Sequence, residues 1–398
     1  MPLRWAIITP EAPPVCGGVG DYAWNLAHDL AAQGDVVGLW VYQSRPLPVS
    51  AHPGITLYSG PPGRRLRKWL PQWHDFQPQI VLIQYTPHGY GWKAMNFDFC
   101  RALLLQRQQF DIWTMFHEVA YPLEKGQSWR HVLLAHANRK MAGWVARSSR
   151  RIFVSIPAWI PLLESCLGHS FNSSFPASQY PHPLWLPVPA NIPEQVPLSE
   201  PARVRSKLGI SPETLICGHF GTYGAHIAPL LPAGIIRVAE KVPYAHFLFM
   251  GQGSDDWLRG FLAAHPQLSS RLHATGRLES SLLAAHISAC DLLLQPYPDG
   301  VTCRRGSIMA GMALGCAIVT NTGPLSEPLW THSMVALASG PEEIPVLAAQ
   351  LLADPLARQS LGHQARLYYQ QHFSRACLVR TLTGMSQNRS QSVASVIA

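Results

Sequence analysis

Two α/β domains, each built on a doubly wound parallel sheet, are the fold class this sequence predicts, and three observations predict it. The chain has 398 residues, too many for one ordinary core and suited to two domains of roughly 180 residues each. Short β-branched or apolar runs recur along it, each followed by a segment with helical spacing, the pattern of successive βα units. Ten prolines between Pro157 and Pro201 separate these units into two series.

The first series opens with a buried strand over Ala6–Pro10. Gly17–Gly20 reads as a loop and Asp21–Ala32 as a helix, with Trp24, Leu26, Ala27, Leu30 and Ala31 inward and Gly34 as its stop. Further strands are expected at Ile80–Tyr85, Asp111–His117 and Arg151–Ile156. The proline-rich segment also holds the polar patch His169–Ser174, so it is neither continuous helix nor central strand. Its end, around Pro187–Pro201, is the expected linker. The second series has strands at Leu215–Gly221, His246–Gly251, Leu272–Leu278, Asp291–Tyr297, Cys316–Asn321 and Met334–Ser339, enough for a complete doubly wound domain. From Ile344 the pattern is helical to about Met385, and the last residues are expected to fray.

Composition narrows the class. Hydrophobic residues make up 47% and charged residues 14%, against a typical charged share of about 25%, which excludes disorder over most of the chain. The net charge of +8 favours anionic partners such as phosphates, lipid headgroups or nucleic acid, but the basic residues are scattered and charge alone does not choose. The eight cysteines (Cys16, Cys100, Cys166, Cys217, Cys290, Cys303, Cys316, Cys377) form no CxxC pair and sit mostly in apolar segments, as reduced core thiols do. A cytoplasmic, metal-free protein is therefore expected. No run of 18 or more apolar residues suggests a membrane span, and the N-terminal apolar run is too short for a signal peptide. The basic stretch Arg64-Arg65-Leu66-Arg67-Lys68-Trp69-Leu70 fits peripheral contact with an anionic membrane, which would suit a lipid-linked acceptor; it fits an exposed helix face equally.

Two parallel sheets leave a cleft, and open α/β sheets bind ligands at the carboxyl ends of their strands. Candidate residues are therefore sought in the loops that follow the strands. Gly17-Gly18-Val19-Gly20-Asp21-Tyr22 lies between strand and helix, where small residues admit a phosphate or sugar; a tight turn capped by Asp21 explains it as well. His117 and Glu118 end a strand and offer an imidazole and a carboxylate to hydrogen-bond a sugar or steer a proton; a solvated pair at a strand end explains them as well. Gln84 to Gly91 ends another, with Tyr85 as an acceptor contact or as a packed ring. In the second half Gly221-Thr222-Tyr223-Gly224, Gly251-Gln252-Gly253 and Thr275-Gly276-Arg277-Leu278 follow three successive strands, the first reading as the opening of a helix and a cradle for a diphosphate. Any one alone reads equally as a connecting turn, and it is their recurrence at one sheet edge that points to a ligand. The most specific stretch is Pro296 to Ser307, which leads into a small-residue helix around Ala310–Leu314. Arg304 and Arg305 at a helix start oppose the helix dipole; a bridging phosphate would remove that conflict, and solvation with screening of both is the other reading.

The order of these motifs, with Met312-Ala313-Leu314-Gly315-Cys316-Ala317-Ile318-Val319-Thr320 and the turn ending at Glu327, resembles the retaining glycosyltransferases of family 4. The resemblance runs from about residue 6 to 373. It implies a GT-B fold, metal-independent transfer without a cofactor, a UDP- or GDP-sugar donor in the C-terminal domain, and a saccharide, lipid-linked or small-molecule acceptor in the N-terminal one. It also implies a last helix crossing back, giving an acceptor-side domain over residues 1–190, a donor domain over 191–373 and a returning helix with its tail over 374–398. By position, Gly17, Gly18 and Gly20 would line the diphosphate and sugar, and His117 would touch the donor sugar. Arg277 and Leu278 would frame the base, and Glu327 would act structurally or toward the ribose. Gly221, Thr222, Gly251, Asp299, Gly306 and Ser307 complete the donor set, with Asp21, Tyr85 and Glu118 on the acceptor side.

Two departures matter. The family's paired glutamates fall on Thr302 and Ala310, and the Arg and Lys usual after the first C-terminal strand fall where this chain has only Thr222 and His226. The segment instead is similar to a branch carrying Arg-Arg-Gly-Ser, with Arg304 or Arg305 supplying the missing positive charge. Catalysis is then expected from donors preorganised for the departing diphosphate, among them Arg304, Arg305, Ser307 and the glycine-loop amides. The competing readings are a nucleotide-sugar-binding protein without turnover and a nucleotide-sugar epimerase; nucleic acid fits the charge but not the loops.

Overall fold

The computed structural model describes residues 2–15, 17–42, 52–59, 66–91, 93–168 and 180–387. The patch His169–Ser174, the arginines at 64 and 65, Cys16 and the tail from 388 lie outside them. The chain divides into two compact units, Met1–Pro187 with Leu378–Ala398, and Val188–Cys377.

The strands of the first unit are β1 (Arg4–Thr9), β2 (Val36–Val41), β3 (Ile55–Ser59), β4 (Ile80–Tyr85), β5 (Ile112–Phe116), β6 (Arg151–Val154) and β7 (Leu184–Trp185). They form one sheet of order β3-β2-β1-β4-β5-β6-β7, parallel throughout. Helices α1 (Gly18–Ala32), α2 (Leu66–Phe76), α3 (Phe97–Gln106), α4 (Trp129–Ser148) and α5 (Trp159–Gly168) lie between them in sequence. Central strands buried on both faces read as continuous apolar runs rather than alternations, which is why Ile80–Tyr85 is buried from end to end. The core is aromatic: Trp5, Trp40, Trp73 and Trp113 are fully buried, and Trp40 stacks on Tyr58 with ring centroids 4.1 Å apart.

The second unit begins with α6 (Ser199–Lys207) and holds β8 (Ile216–Phe220), β9 (His246–Met250), β10 (Leu272–Ala274), β11 (Leu292–Gln295), β12 (Ala317–Asn321) and β13 (Ala336–Ala338). Their order is β10-β9-β8-β11-β12-β13, again wholly parallel. Numbered within the unit this is 3-2-1-4-5-6, with a switch point between β8 and β11. Helices α7 (Leu231–Lys241), α8 (Ser254–Ala264), α9 (Ser280–Ser288) and α10 (Gly306–Leu314) connect the strands, and α11 (Ile344–Ala353) and α12 (Pro355–His372) follow the last one. The final helix, α13 (Arg375–Gln387), starts in this unit and ends in the first.

Several elements differ from the sequence reading. Helix α1 starts at Gly18, so Gly18 and Gly20 belong to its first turn and not to a loop. Trp24 is only half-buried, its ring 4.6 Å from that of His28, whereas Tyr22 and Ala23 turn inward. Leu272–Leu278 is strand only to Ala274, because Gly276 takes φ +60 and turns the chain away. After β8 the chain runs through Gly221–Ile227 and a short 3-10 turn at Ala228–Leu230 before α7 begins, so Gly221 and Thr222 do not stand at a helix N-terminus.

Candidate functional site

In the second unit the loops after β8, β9 and β10 touch through their backbones. Gly221 N–H donates to Met250 O at 3.1 Å, and Gly251 N–H to Gly276 O at 3.1 Å. Gly251 has φ +116, and a side chain there would overlap the carbonyl of Gly221. Ser254, fully buried at the start of α8, accepts the Gly276 N–H on its hydroxyl oxygen at 2.9 Å. Three glycine loops far apart in sequence thus form one continuous backbone surface at the carboxyl edge of the sheet. Arg277 and Thr222 are exposed on their loops and Leu278 is half-buried.

The loop after β11 forms a second group. Its backbone is fixed by β12 and the turn beyond: Val301 N–H donates to Asn321 O at 2.9 Å, and Leu325 N–H to Asp299 O at 3.1 Å. Gly300, at φ +85, packs so closely on Gly323 that no side chain fits. Asp299 is therefore held in place, and both arginines come to it. Arg304 Nη2 lies 3.4 Å from its Oδ2, and Arg305 Nη2 pairs with its Oδ1. The Arg305 guanidinium also lies 4.7 Å from the centroid of the Tyr297 ring. Tyr297 and Ser307 share a hydrogen bond of 2.6 Å between their hydroxyls, and burial pushes the phenol up to about 12. Asp299 sets a carboxylate against both cations and so offsets part of their conflict with the α10 dipole. Gly306, the first residue of α10, has open space beside its Cα.

Glu327 is buried behind this loop. Its Oε1 accepts the Cys303 N–H at 2.9 Å and its Oε2 the Trp330 indole N–H at 2.7 Å, and burial raises its pKa. Both oxygens are thus held by hydrogen bonds within the fold. Thr302 and Ala310, where glutamates were missed, are fully buried.

In the first unit His117, at the end of β5, is buried against the Tyr22 ring at 4.9 Å, and its Nε2 is 2.9 Å from Gln84 Oε1. As that oxygen only accepts, the bond places a proton on Nε2. Burial lowers its pKa to about 3, leaving it neutral at pH 7. The glycine turn is filled by a residue the sequence reading passed over. The carboxylate of Glu11 covers Gly17, and its backbone carbonyl lies 2.9 Å from where a Cβ on Gly20 would be. Burial, then the neighbouring Asp21, raises the Glu11 pKa. These glycines therefore make room for the protein's own carboxylate, a signal legible only in hindsight as a Glu following a strand. Glu118 is half-buried beside His117. Tyr85 is a correction: it is buried in the apolar core with its ring 4.9 Å from Phe116, because the alternation of β4 turns it to the face opposite Gln84.

Among the described residues no helix is long and apolar enough to cross a membrane, and no group of three or more His, Cys, Asp or Glu side chains is placed to hold a metal ion. No protein-family profile and no curated protein matches the sequence. Solved structures do. Sucrose-phosphate synthase from Thermosynechococcus elongatus is similar over 97% of this chain and 99% of its own, with 16% identity and a TM-score of 0.69. HepE of Anabaena, solved in complex with UDP, is similar over 98% and 100%, with 12% identity and a TM-score of 0.65. WaaG, a glycosyltransferase involved in lipopolysaccharide biosynthesis, is similar over 96% and 100%, with 15% identity and a TM-score of 0.64. These likenesses and the two wholly parallel sheets give the chain the GT-B fold, two Rossmann-like doubly wound domains in one polypeptide.

Proposed function

We propose that the chain is a retaining glycosyltransferase that moves a sugar from a nucleotide-diphosphate donor, UDP- or GDP-linked, to an acceptor hydroxyl. The observation that carries this reading is the group at the start of α10, where Arg304, Arg305 and Ser307 gather in the loop region after β11, the strand next to β8, whose own following loop belongs to the abutting glycine loops. The fold supports it, since HepE, which shares that fold, has been solved with UDP and with UDP-glucose. The motif order favours family 4 and its Arg-Arg-Gly-Ser branch. Cytoplasmic placement with peripheral membrane contact belongs to the same proposal.

The chemistry follows from charge. As the bond from the anomeric carbon to the phosphate oxygen breaks, negative charge grows on the diphosphate, and preorganised guanidinium and N–H donors stabilise it. Each guanidinium of Arg304 and Arg305 carries five N–H donors in a planar fork whose geometry matches phosphate oxygens. The acceptor oxygen bonds to the same face of the anomeric carbon, and its proton passes to the departing phosphate oxygen. That route needs no carboxylate at positions 302 and 310. His117, neutral and with its Nε2–H given to Gln84, would accept from a sugar hydroxyl at Nδ1 without carrying charge.

Thermal shift across UDP-, GDP-, ADP- and TDP-sugars identifies the donor, and NMR of the product's anomeric proton reads the stereochemistry. Arg305→Ala is expected to lower turnover on the order of 10²-fold. Unchanged turnover and donor affinity in both Arg304→Ala and Arg305→Ala would remove the site from this loop.

A further inference from the structure

Three rings from separate stretches of chain meet in the first unit. His88 lies in the loop after β4, Tyr121 in the loop after β5, and His131 in the first turn of α4. The Tyr121 and His131 rings are near parallel, 15° apart in plane with centroids 5.7 Å apart. His88 meets Tyr121 edge-on at 6.3 Å and 80°. His88 and His131 are exposed and Tyr121 is partly so. Strand-end loops of this kind are where an α/β sheet holds its ligand.

The platform is braced from below by one amide. Asn138, fully buried on α4, accepts the Tyr121 N–H on its Oδ1 at 3.3 Å and donates from Nδ2 to Ala94 O at 2.7 Å. The loops after β4 and β5 are thereby tied to the same helix turn. Arg139 adds a bond from Nη1 to Tyr121 O at 3.0 Å, so the tyrosine is held at both its N–H and its carbonyl. An unligated loop gains little from such bracing, whereas a binding surface gains a fixed ring position.

The chemistry of the cluster selects its occupant. One imidazole stacks with the Tyr121 ring and another meets it edge-on, so apolar ring surface stands beside polar ring atoms at its rim. A pyranose ring is the complement, with an apolar C–H face and hydroxyls around its edge. We propose that Tyr121, with His88 and His131, seats a pyranose ring of the acceptor, so that the acceptor is a saccharide or glycoside. The acceptor role rests on the transfer reading above.

The test uses the full chain and simple probes. Saturation-transfer NMR is run with methyl glucoside, methyl galactoside and methyl mannoside on wild type, Tyr121→Phe and Tyr121→Ala, and each protein is also tested for thermal stabilisation by UDP and GDP. The expected result is transfer to ring C–H protons of at least one glycoside in wild type, retention in Tyr121→Phe, and affinity lowered about tenfold in Tyr121→Ala, the size of one aromatic contact. Nucleotide stabilisation is expected to be the same in all three, which also shows that the variants are folded. Absence of transfer in wild type, or equal transfer with Tyr121→Ala, overturns the platform. Stabilisation by neither nucleotide, and by no nucleotide sugar, overturns the acceptor role through failure of the transfer reading, even where the platform binds.

Discussion

Both oxygens of Glu327 are committed, one to a backbone N–H at the arginine loop and one to an indole N–H. Glu327→Gln keeps the shape but turns an amide NH2 toward one of those donors, leaving a buried N–H without an acceptor. A loss of about 1–3 kcal/mol is expected, read as a lowered denaturant midpoint at unchanged slope. The buried histidines set a pH dependence of known sign. His117 and His219 have folded pKa values lowered by burial to about 3 and about 4, from 6.5. Below pH 6.5 the unfolded chain binds protons that the folded one refuses, so stability is full above 6.5 and falls as pH drops toward 4. The unfolding midpoint should fall between pH 6.5 and 5, and fall less steeply in His117→Gln and in His219→Gln; an unchanged slope in both would refute the assignment. At this scale the arginine pair was legible because two cations at a helix start are conspicuous. Glu11 was not, since nothing in the spacing of a single carboxylate tells that it folds back over Gly17.

Among the elements, the central strands were legible because burial on both faces writes a continuous apolar run. β2, β3 and β7 were not foreseen: β2 is interrupted by Gly38, β3 has only one buried residue, and β7 is two residues inside the proline-rich segment. The strand-end loops were located by their glycines, but their mutual contact was not, because a glycine signals permissive backbone without naming what approaches it. Gly251→Ala tests that contact. The substitution adds a methyl at φ +116 against the Gly221 carbonyl, so both strain and overlap act. The expected cost is roughly 1–3 kcal/mol in stability. Donor affinity should fall with it, whereas Gly224→Ala, with open space around it and an ordinary φ, should leave both unchanged.

For the whole molecule, the chain's return to its first unit is a physical commitment of the last helix. From Leu378 onward α13 belongs to that unit, and Leu378, Val379, Leu382 and Met385 are all buried. Arg151 Nη2, on β6, donates to Met385 O at 3.0 Å, and its guanidinium lies 5.2 Å from the Trp113 ring centroid. The first unit is therefore not complete at residue 187. Four buried apolar side chains at about 1.5–3 kcal/mol each amount to roughly 6 kcal/mol or more, comparable to the whole stability of many domains. A chain ending at Ser374 should consequently show an early unfolding transition by calorimetry that the full chain lacks, with tryptophan fluorescence from the Trp5 and Trp113 core changing at that transition. The second unit keeps the Tyr369 bond to Glu194 and the Ala190 N–H bond to the same hydroxyl, so its transition should stay close to that of the full chain. Coincident transitions in the truncated and full chains would mean that the last helix contributes little to the first unit despite its burial.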